Sequence, residues 1–198
     1  LTRVIVDSTV QEKAVAHPTD SKLLETARSK VVEAAKANGI ELKQTYAKEG
    51  QLLGYKAGRY AHARQFKRMR KVIKRQRTIV GRLQREVARK MTPLSQAIQD
   101  TLGQTLGKAK RLVTQTGSRK AVDNRAKLYS WHAPEVECIS KGKSRNPYEF
   151  GVKVGLAMTL KGNLIVGARS FPGNPYDGHT MHEQIEQSAI LMQGLGVK

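Results

Sequence analysis

Apolar residues change their spacing along this chain, and each change marks a different element. Val4-Ile5-Val6 is a short β-branched run that ends at Asp7-Ser8-Thr9. It predicts a buried strand with an acid at or near its C-terminal end. After the loop His17-Pro18-Thr19-Asp20, the positions Leu23, Leu24, Ala27, Val31, Val32 and Ala35 recur at helical spacing and form one apolar face. Thr19 or Asp20 suits the N-cap, because a side-chain oxygen can accept from the first free amides. Asn38-Gly39 predicts the end of this helix, since glycine takes the left-handed conformation after a last turn, and Ile40 is placed to fold back on it. A second helix is predicted over roughly 60–91. There Phe66, Met69, Ile73, Val80, Leu83 and Val87 step by threes and fours, with Gln76 in the one gap. That is a seam for a helical hairpin or coiled coil. A third helix is predicted to start with Thr92 as N-cap and Pro93 at the first helical position, where no amide hydrogen is needed. Leu94, Ile98, Leu102 and Leu106 then recur every four residues. Gly103 and Gly107 either weaken that helix or let a neighbour approach closely, and Gly117 closes it.

After about residue 125 the period shortens. Val136-Glu137-Cys138-Ile139 alternates and predicts a strand. Residues 148–159 predict another, with Phe150, Val152, Val154, Leu156 and Met158 on one face. Residues 163–170 predict a third, and Lys161-Gly162-Asn163 between the last two suits a tight hairpin. Three consecutive strands in an antiparallel meander follow. A loop fixed by Pro and Gly covers 171–178. A last helix is expected from about His179 to Gly194, with Ile185, Ala189, Ile190 and Leu191 as its apolar positions. If the opening strand joins the later three, the intervening residues form a helical insertion in an α/β domain. The alternative is two domains in succession, which leaves the opening strand alone and poorly stable. The expected organisation is a first strand and loop over 1–20, a basic helical insertion over 21–125, and the remaining strands and helix over 126–198.

Charge narrows the partners. Thirty-six Lys and Arg face 16 Asp and Glu, for a net charge of +20. So basic a chain points to a polyanion, and nucleic acid is favoured because each neutralised phosphate releases counterions. An anionic membrane surface is the bland alternative, but no apolar run approaches the ~18 residues of a span. Between Lys56 and Lys90 there are fourteen Lys or Arg and one acid, Glu86. The densest part is Arg64, Lys67, Arg68, Arg70, Lys71, Lys74, Arg75 and Arg77. Some of these must be plain solvated surface, yet the acids that normally balance such a face are absent, so phosphate contact is expected of the group. The single Cys138 suits a reducing cytoplasm.

Two acids stand out by position: Asp7 after an apolar strand, and Asp177 in the loop after another. Carboxylates so placed can hold Mg²⁺ or Mn²⁺, and two such ions can activate the attacking oxygen and stabilise the leaving one in phosphodiester displacement. An Asx turn at Asp7 and a routine turn at Asp177-Gly178 explain the same residues without a metal. His179 can orient Asp177 or simply make a hydrogen bond at a helix start; Asn174 can fix the loop or serve its turn alone. His17 and His132, with one Cys, lack paired zinc spacing. Trp131 is expected to pack.

Three stretches carry a resemblance. Val4-Ile5-Val6-Asp7-Ser8-Thr9-Val10-Gln11-Glu12-Lys13, followed by Pro18-Thr19-Asp20-Ser21-Lys22-Leu23-Leu24, resembles the opening of the catalytic domain in insertion-sequence transposases of the acidic-triad class. Tyr129-Ser130-Trp131-His132-Ala133-Pro134-Glu135-Val136-Glu137-Cys138-Ile139, Lys141-Gly142-Lys143 and Pro147-Tyr148-Glu149-Phe150-Gly151 resemble its next stretch. Pro172-Gly173-Asn174-Pro175-Tyr176-Asp177-Gly178-His179-Thr180 resembles its second acidic motif. The resemblance implies a ribonuclease H-like mixed sheet with a long helical insertion after the first strand. It implies Asp7 and Asp177 as the first and second catalytic, metal-holding acids, with two Mg²⁺ or Mn²⁺ ions in the complete site. It implies hydrolysis at transposon ends, attack of the freed 3′ hydroxyl on target DNA, and a homodimer in a synaptic complex in the bacterial cytoplasm. The family's third acid, a Glu after a Tyr-Arg-Gly-like segment, has no match here; Glu183 and Glu186 read as a solvated helix face. The sequence therefore reads as an internal, inactive piece of a longer transposase. A non-enzymatic nucleic-acid-binding protein and another ribonuclease H-like nuclease are the other expectations.

Overall fold

A computed structural model describes residues 3–117, 126–142, 144–145 and 147–194. The elements run β1 (Val4–Glu12), α1 (Asp20–Ala37), α2 (Ala47–His62), α3 (Phe66–Lys90), α4 (Gln96–Gly117), β2 (Glu137–Ser140), β3 (Tyr148–Thr159), β4 (Ile165–Phe171) and α5 (Asp177–Gly194). The chain divides into two compact units, Ala16–Pro134 and the pair Leu1–Val15 with Glu135–Lys198. The helices α1–α4 thus interrupt the sheet in sequence, between β1 and the strand that pairs with it. The loops 16–20 and 126–134 belong with the helices rather than with the sheet; the expected boundary residue 125 and Lys143 of a quoted motif lie outside the described residues. No helix among the described residues is long and apolar enough to cross a membrane.

The helical unit is built on large aliphatic side chains. Thr19, in extended conformation, caps α1 by accepting from the Lys22 amide at 3.3 Å. At the other end Gly39 takes φ +69°, and the Ile40 amide donates to the Ala35 carbonyl at 2.9 Å, which folds Ile40 back into the core. Leu24, Ala27, Val31 and Ala35 of α1 meet Ile79, Val80, Leu83 and Val87 of α3 and Leu102, Ala109 and Leu112 of α4 in one cluster. Each Leu or Val so buried contributes about 1.5–3 kcal/mol.

Three expectations change here. The helix predicted over 60–91 is two helices: Ala63 ends α2, Arg64 takes φ +54°, and α3 begins at Phe66. Residues 47–59, unassigned by spacing, are helical, with Gly50 packed so close to the Arg28–Glu25 ion pair that a Cβ would lie 2.3 Å from Glu25. The α3 seam runs through Val72, Gln76, Ile79, Val80, Leu83 and Val87, whereas Phe66 is exposed. Finally, α4 begins at Gln96 rather than Pro93. The Thr92 hydroxyl donates back to the Arg89 carbonyl at 3.5 Å, so Thr92 closes α3 instead of opening α4. Gly103 and Gly107 face open space, so no neighbour uses their small size.

Among the described residues the sheet has four strands, all antiparallel, not the mixed sheet expected. β1 pairs with β3 from Val4↔Thr159 to Glu12↔Gly151. Gly151 also pairs with Glu137, so β2 lies on the edge of β3 opposite β1, and β4 continues along that same edge. The three later strands are consecutive and antiparallel but not a simple meander, because β2 and β4 share one edge end to end. Gly162 (φ +86°) and Asn163 (φ +51°) form the hairpin between β3 and β4. β1 runs to Glu12 and pairs on one side only; Val4 and Ile5 are exposed, and Asp7 sits mid-strand rather than at its end.

The buried side of β3 is the reverse of the expected one. Gly151, Lys153, Gly155, Ala157 and Thr159 are buried, while Phe150, Val152, Val154, Leu156 and Met158 are half-buried. α5 packs on β4, β3 and β1 and needs a flat surface. A Cβ on Gly167 would come within 2.3 Å of the Ser188 hydroxyl, and one on Gly155 within 2.8 Å of the Gln184 amide oxygen. The buried face of α5 is correspondingly polar, Thr180, Gln184 and Ser188 at intervals of four, and the expected apolar positions Ile185, Ala189, Ile190 and Leu191 are exposed.

Candidate functional site

Side chains alternate between the faces of a strand, and this alternation separates the two candidate acids. Ser8 is paired with Gly155 and Val10 with Lys153, so both share the face that α5 covers. Asp7 is paired with Leu156 and points to the other face, where it is exposed. Its Oδ1 accepts from the Ser8 amide at 2.8 Å. Asp177 opens α5, two residues before the expected start. Its Oδ1 lies 2.6 Å from Lys153 Nζ, which also donates to the Pro175 carbonyl. The Lys153 ammonium, and then a hydrogen bond from Ser8, hold the Asp177 carboxyl below its ordinary range; the Lys141 charge acts in the same direction.

Ser8, the neighbour of Asp7, hydrogen-bonds Asp177, whereas Asp7 itself points to the opposite face of β1, so the two carboxylates share no contact among the described residues. Asp177 is neutralised by a buried lysine where a cation would have to sit. Among the described residues no group of three or more His, Cys, Asp or Glu side chains is arranged to hold a metal ion. These residues do not fit a two-ion site, and no catalytic step is routed through one.

Lys153 and Ser8 are the residues that spacing missed. Lys153 reads as the polar member of an alternating strand, and only its position under the α5 start reveals an internal partner. A signal was present: Lys153 stands between Gly151 and Gly155, two residues too small to cover a solvated face. In the loop above, Gly173 (φ +84°) and Asn174 (φ +46°) are left-handed, and the Gly173 amide donates to Glu137 Oε1 at 2.7 Å. Asn174 thus serves the turn. His179 donates its amide to the Tyr176 carbonyl at 3.0 Å and sets its ring edge-on to Tyr176, with centroids 5.6 Å apart. Glu183 pairs with Arg169 at 2.8 Å on the surface. Trp131 packs against the helical core, with the Lys108 ammonium 5.9 Å from its ring centre. The His132 ring nitrogen Nδ1 is 3.1 Å from the Ser130 hydroxyl.

The predicted basic run is on the helical unit, and it splits. Arg64, Lys67, Arg68, Arg70, Lys71 and Lys74 are exposed. Arg75 is drawn to Glu49 by two hydrogen bonds of 2.7 and 3.0 Å, which lowers the Glu49 pKa. Arg77 reaches across to the Thr116 carbonyl at 3.4 Å and lies against Gly117. Those two tie α3 to α2 and to α4, so their charge is partly spent inside the unit.

No family model matches the chain, and no solved structure matches it. A curated protein of Rhizobium meliloti, described as "Uncharacterized protein ORF8 in nfe locus", is similar to it: 54% identical over 66 residues, which is 33% of this chain and 32% of that protein. The match spans about a third of that relative's length and carries no activity across.

Proposed function

We propose that this chain is part of a DNA-acting protein of the insertion-sequence transposase kind, in which the helical unit holds DNA and the sheet unit is catalytic-domain scaffold. The observation that carries the substrate class is α3, where eleven Lys or Arg accompany one acid. Such a helix repels itself until phosphates replace water around it. The reaction class, hydrolysis at a transposon end followed by strand transfer into target DNA, rests on the resemblance of the three quoted stretches. The reading puts the protein in the bacterial cytoplasm and pairs two copies when transposon ends are joined.

The separation of Asp7 from Asp177 favours a second reading, a basic nucleic-acid-binding protein without catalysis. One experiment decides between them. The whole chain is titrated with duplex DNA at several salt concentrations, then with Mn²⁺, beside Asp7→Asn. Salt-sensitive DNA binding together with Mn²⁺ binding that Asp7→Asn weakens supports the transposase reading. The same DNA binding with equal, weak Mn²⁺ binding in both proteins supports the binder. DNA affinity that barely changes with salt sinks both.

A further inference from the structure

The outer side of α3 carries more than the predicted run. With 100° per residue, Lys67, Lys71, Lys74, Arg82, Arg85 and Arg89 fall within one sector about 80° wide. The buried positions Val72, Gln76, Ile79, Val80, Leu83 and Val87 centre on the opposite side. All six cations are exposed, and Thr78, in the middle of the row, is exposed too. Among the described residues no hydrogen bond or ion pair engages the charged group of any of the six, although the Arg82 charge helps lower the Glu49 pKa. The acid of this helix, Glu86, is engaged by the Lys43 amide and the Lys90 ammonium, at 2.9 and 3.0 Å. Arg82, Arg85 and Arg89 line an open hollow of about 470 Å³ with Lys43, Tyr46 and that same Glu86, so three arginines face one acid that already has partners.

We infer that these six side chains form one continuous cationic rail and that its occupant is duplex DNA. This deepens the nucleic-acid reading proposed above and rests on it. From Lys67 to Arg89 the helix rises about 33 Å at 1.5 Å per residue, close to the ~34 Å of one turn of duplex. A helix that presents six charges over about six turns, three on each side of Thr78, meets phosphates in two groups along the duplex face, and the contacts are independent of sequence. The rail adds Arg82, Arg85 and Arg89 to the interface. It removes Arg75 and Arg77, whose guanidiniums serve Glu49 and the Thr116 carbonyl.

Six phosphate contacts set a slope of log affinity against log salt near −5, about a thousand-fold loss between 50 and 200 mM. The test uses the whole chain, a 20-base-pair duplex, and two variants checked for unchanged thermal unfolding. In Arg82→Gln/Arg85→Gln/Arg89→Gln the slope should fall by about 3 and affinity at 100 mM salt by at least about a hundred-fold. Arg75→Gln, the control whose guanidinium is already paired with Glu49, should leave the slope unchanged even if it lowers the unfolding temperature. An unchanged slope in the triple variant overturns the rail while leaving the nucleic-acid reading intact. So does an equal loss in Arg75→Gln. Failure of the unmodified chain to bind duplex at 50 mM salt removes both. Tighter binding to vesicles of anionic phospholipid than to duplex also overturns the assignment.

Discussion

The helical unit and the sheet unit bury different mixtures of surface: the sheet unit has only Val10, Val136, Ile139, Ala157 and Phe171 as buried apolar residues among those described. The first is closed by Leu, Ile and Val from α1, α3 and α4. The second buries Lys153, Thr159, Thr180, Gln184 and Ser188 between sheet and helix, with glycines where the backbones approach. Size explains the difference. Helices packed on helices leave gaps that aliphatic side chains fill, whereas α5 lies so close to β3 and β4 that only small or flat groups fit beneath it. A large-to-small change should therefore hurt one unit, and a small-to-large change the other.

The largest effect is expected in the helical core. Leu83→Ala should destabilise by about 2–5 kcal/mol, through lost burial and the cavity left behind; the urea midpoint reads it. An effect below 1 kcal/mol would mean the core is looser than its contacts imply. Next comes the sheet unit. Gly167→Val places new carbons against the Ser188 hydroxyl and should cost about 1–3 kcal/mol by overpacking. A neutral outcome would show that α5 can lift without penalty. Gln76 sharpens the contrast from the other side. It is a polar group in the aliphatic seam, with Nε2 3.4 Å from the Ser21 carbonyl and Oε1 unpartnered among the described residues. Gln76→Met should raise stability by about 1 kcal/mol, because an unsatisfied buried acceptor disappears.

Much of the helical unit was legible because large apolar residues at a period near 3.6 can be satisfied in few ways. The α1 face, its Thr19 cap and its Gly39 stop follow from spacing and local chemistry. α2 was not legible: Gly50, Gly54 and Gly58 lower helix propensity, and only Gly50 and Ala57 are buried, so no apolar stripe marks it. In β3 the alternation was legible and its direction was not, because the apolar row is the obvious core and the covering helix chose the glycine row. For the candidate site, the charge of α3 could be counted, but which cations are spent on Glu49 and Thr116 depends on where α2 and α4 lie. The faces that Asp7 and Asp177 take were not legible for a related reason. Strand register decides which face a residue takes, and no local pattern ties residue 8 to residue 155.

The smallest effect concerns Asp177. Its folded pKa lies below the ordinary 3.8 because of Lys153 and Ser8. The contact therefore stabilises fully above the unfolded value and is lost as pH falls through the folded one. Because Asp177 is exposed, the loss should be modest and local. Amide protection at the start of α5, taken relative to the intrinsic exchange rate at each pH, should fall in acid below about pH 4, and Asp177→Asn should flatten that dependence. A pH profile identical in both proteins would detach Asp177 from Lys153.

Lysine footprinting reaches the central claim most directly. The whole chain is acetylated briefly with and without a saturating duplex. The outer side of α3 as a DNA-binding surface predicts strong protection of Lys67, Lys71 and Lys74, with Lys36 on α1 and Lys161 in the hairpin reacting as before. Unchanged reactivity along α3, with protection confined to the controls, would contradict it.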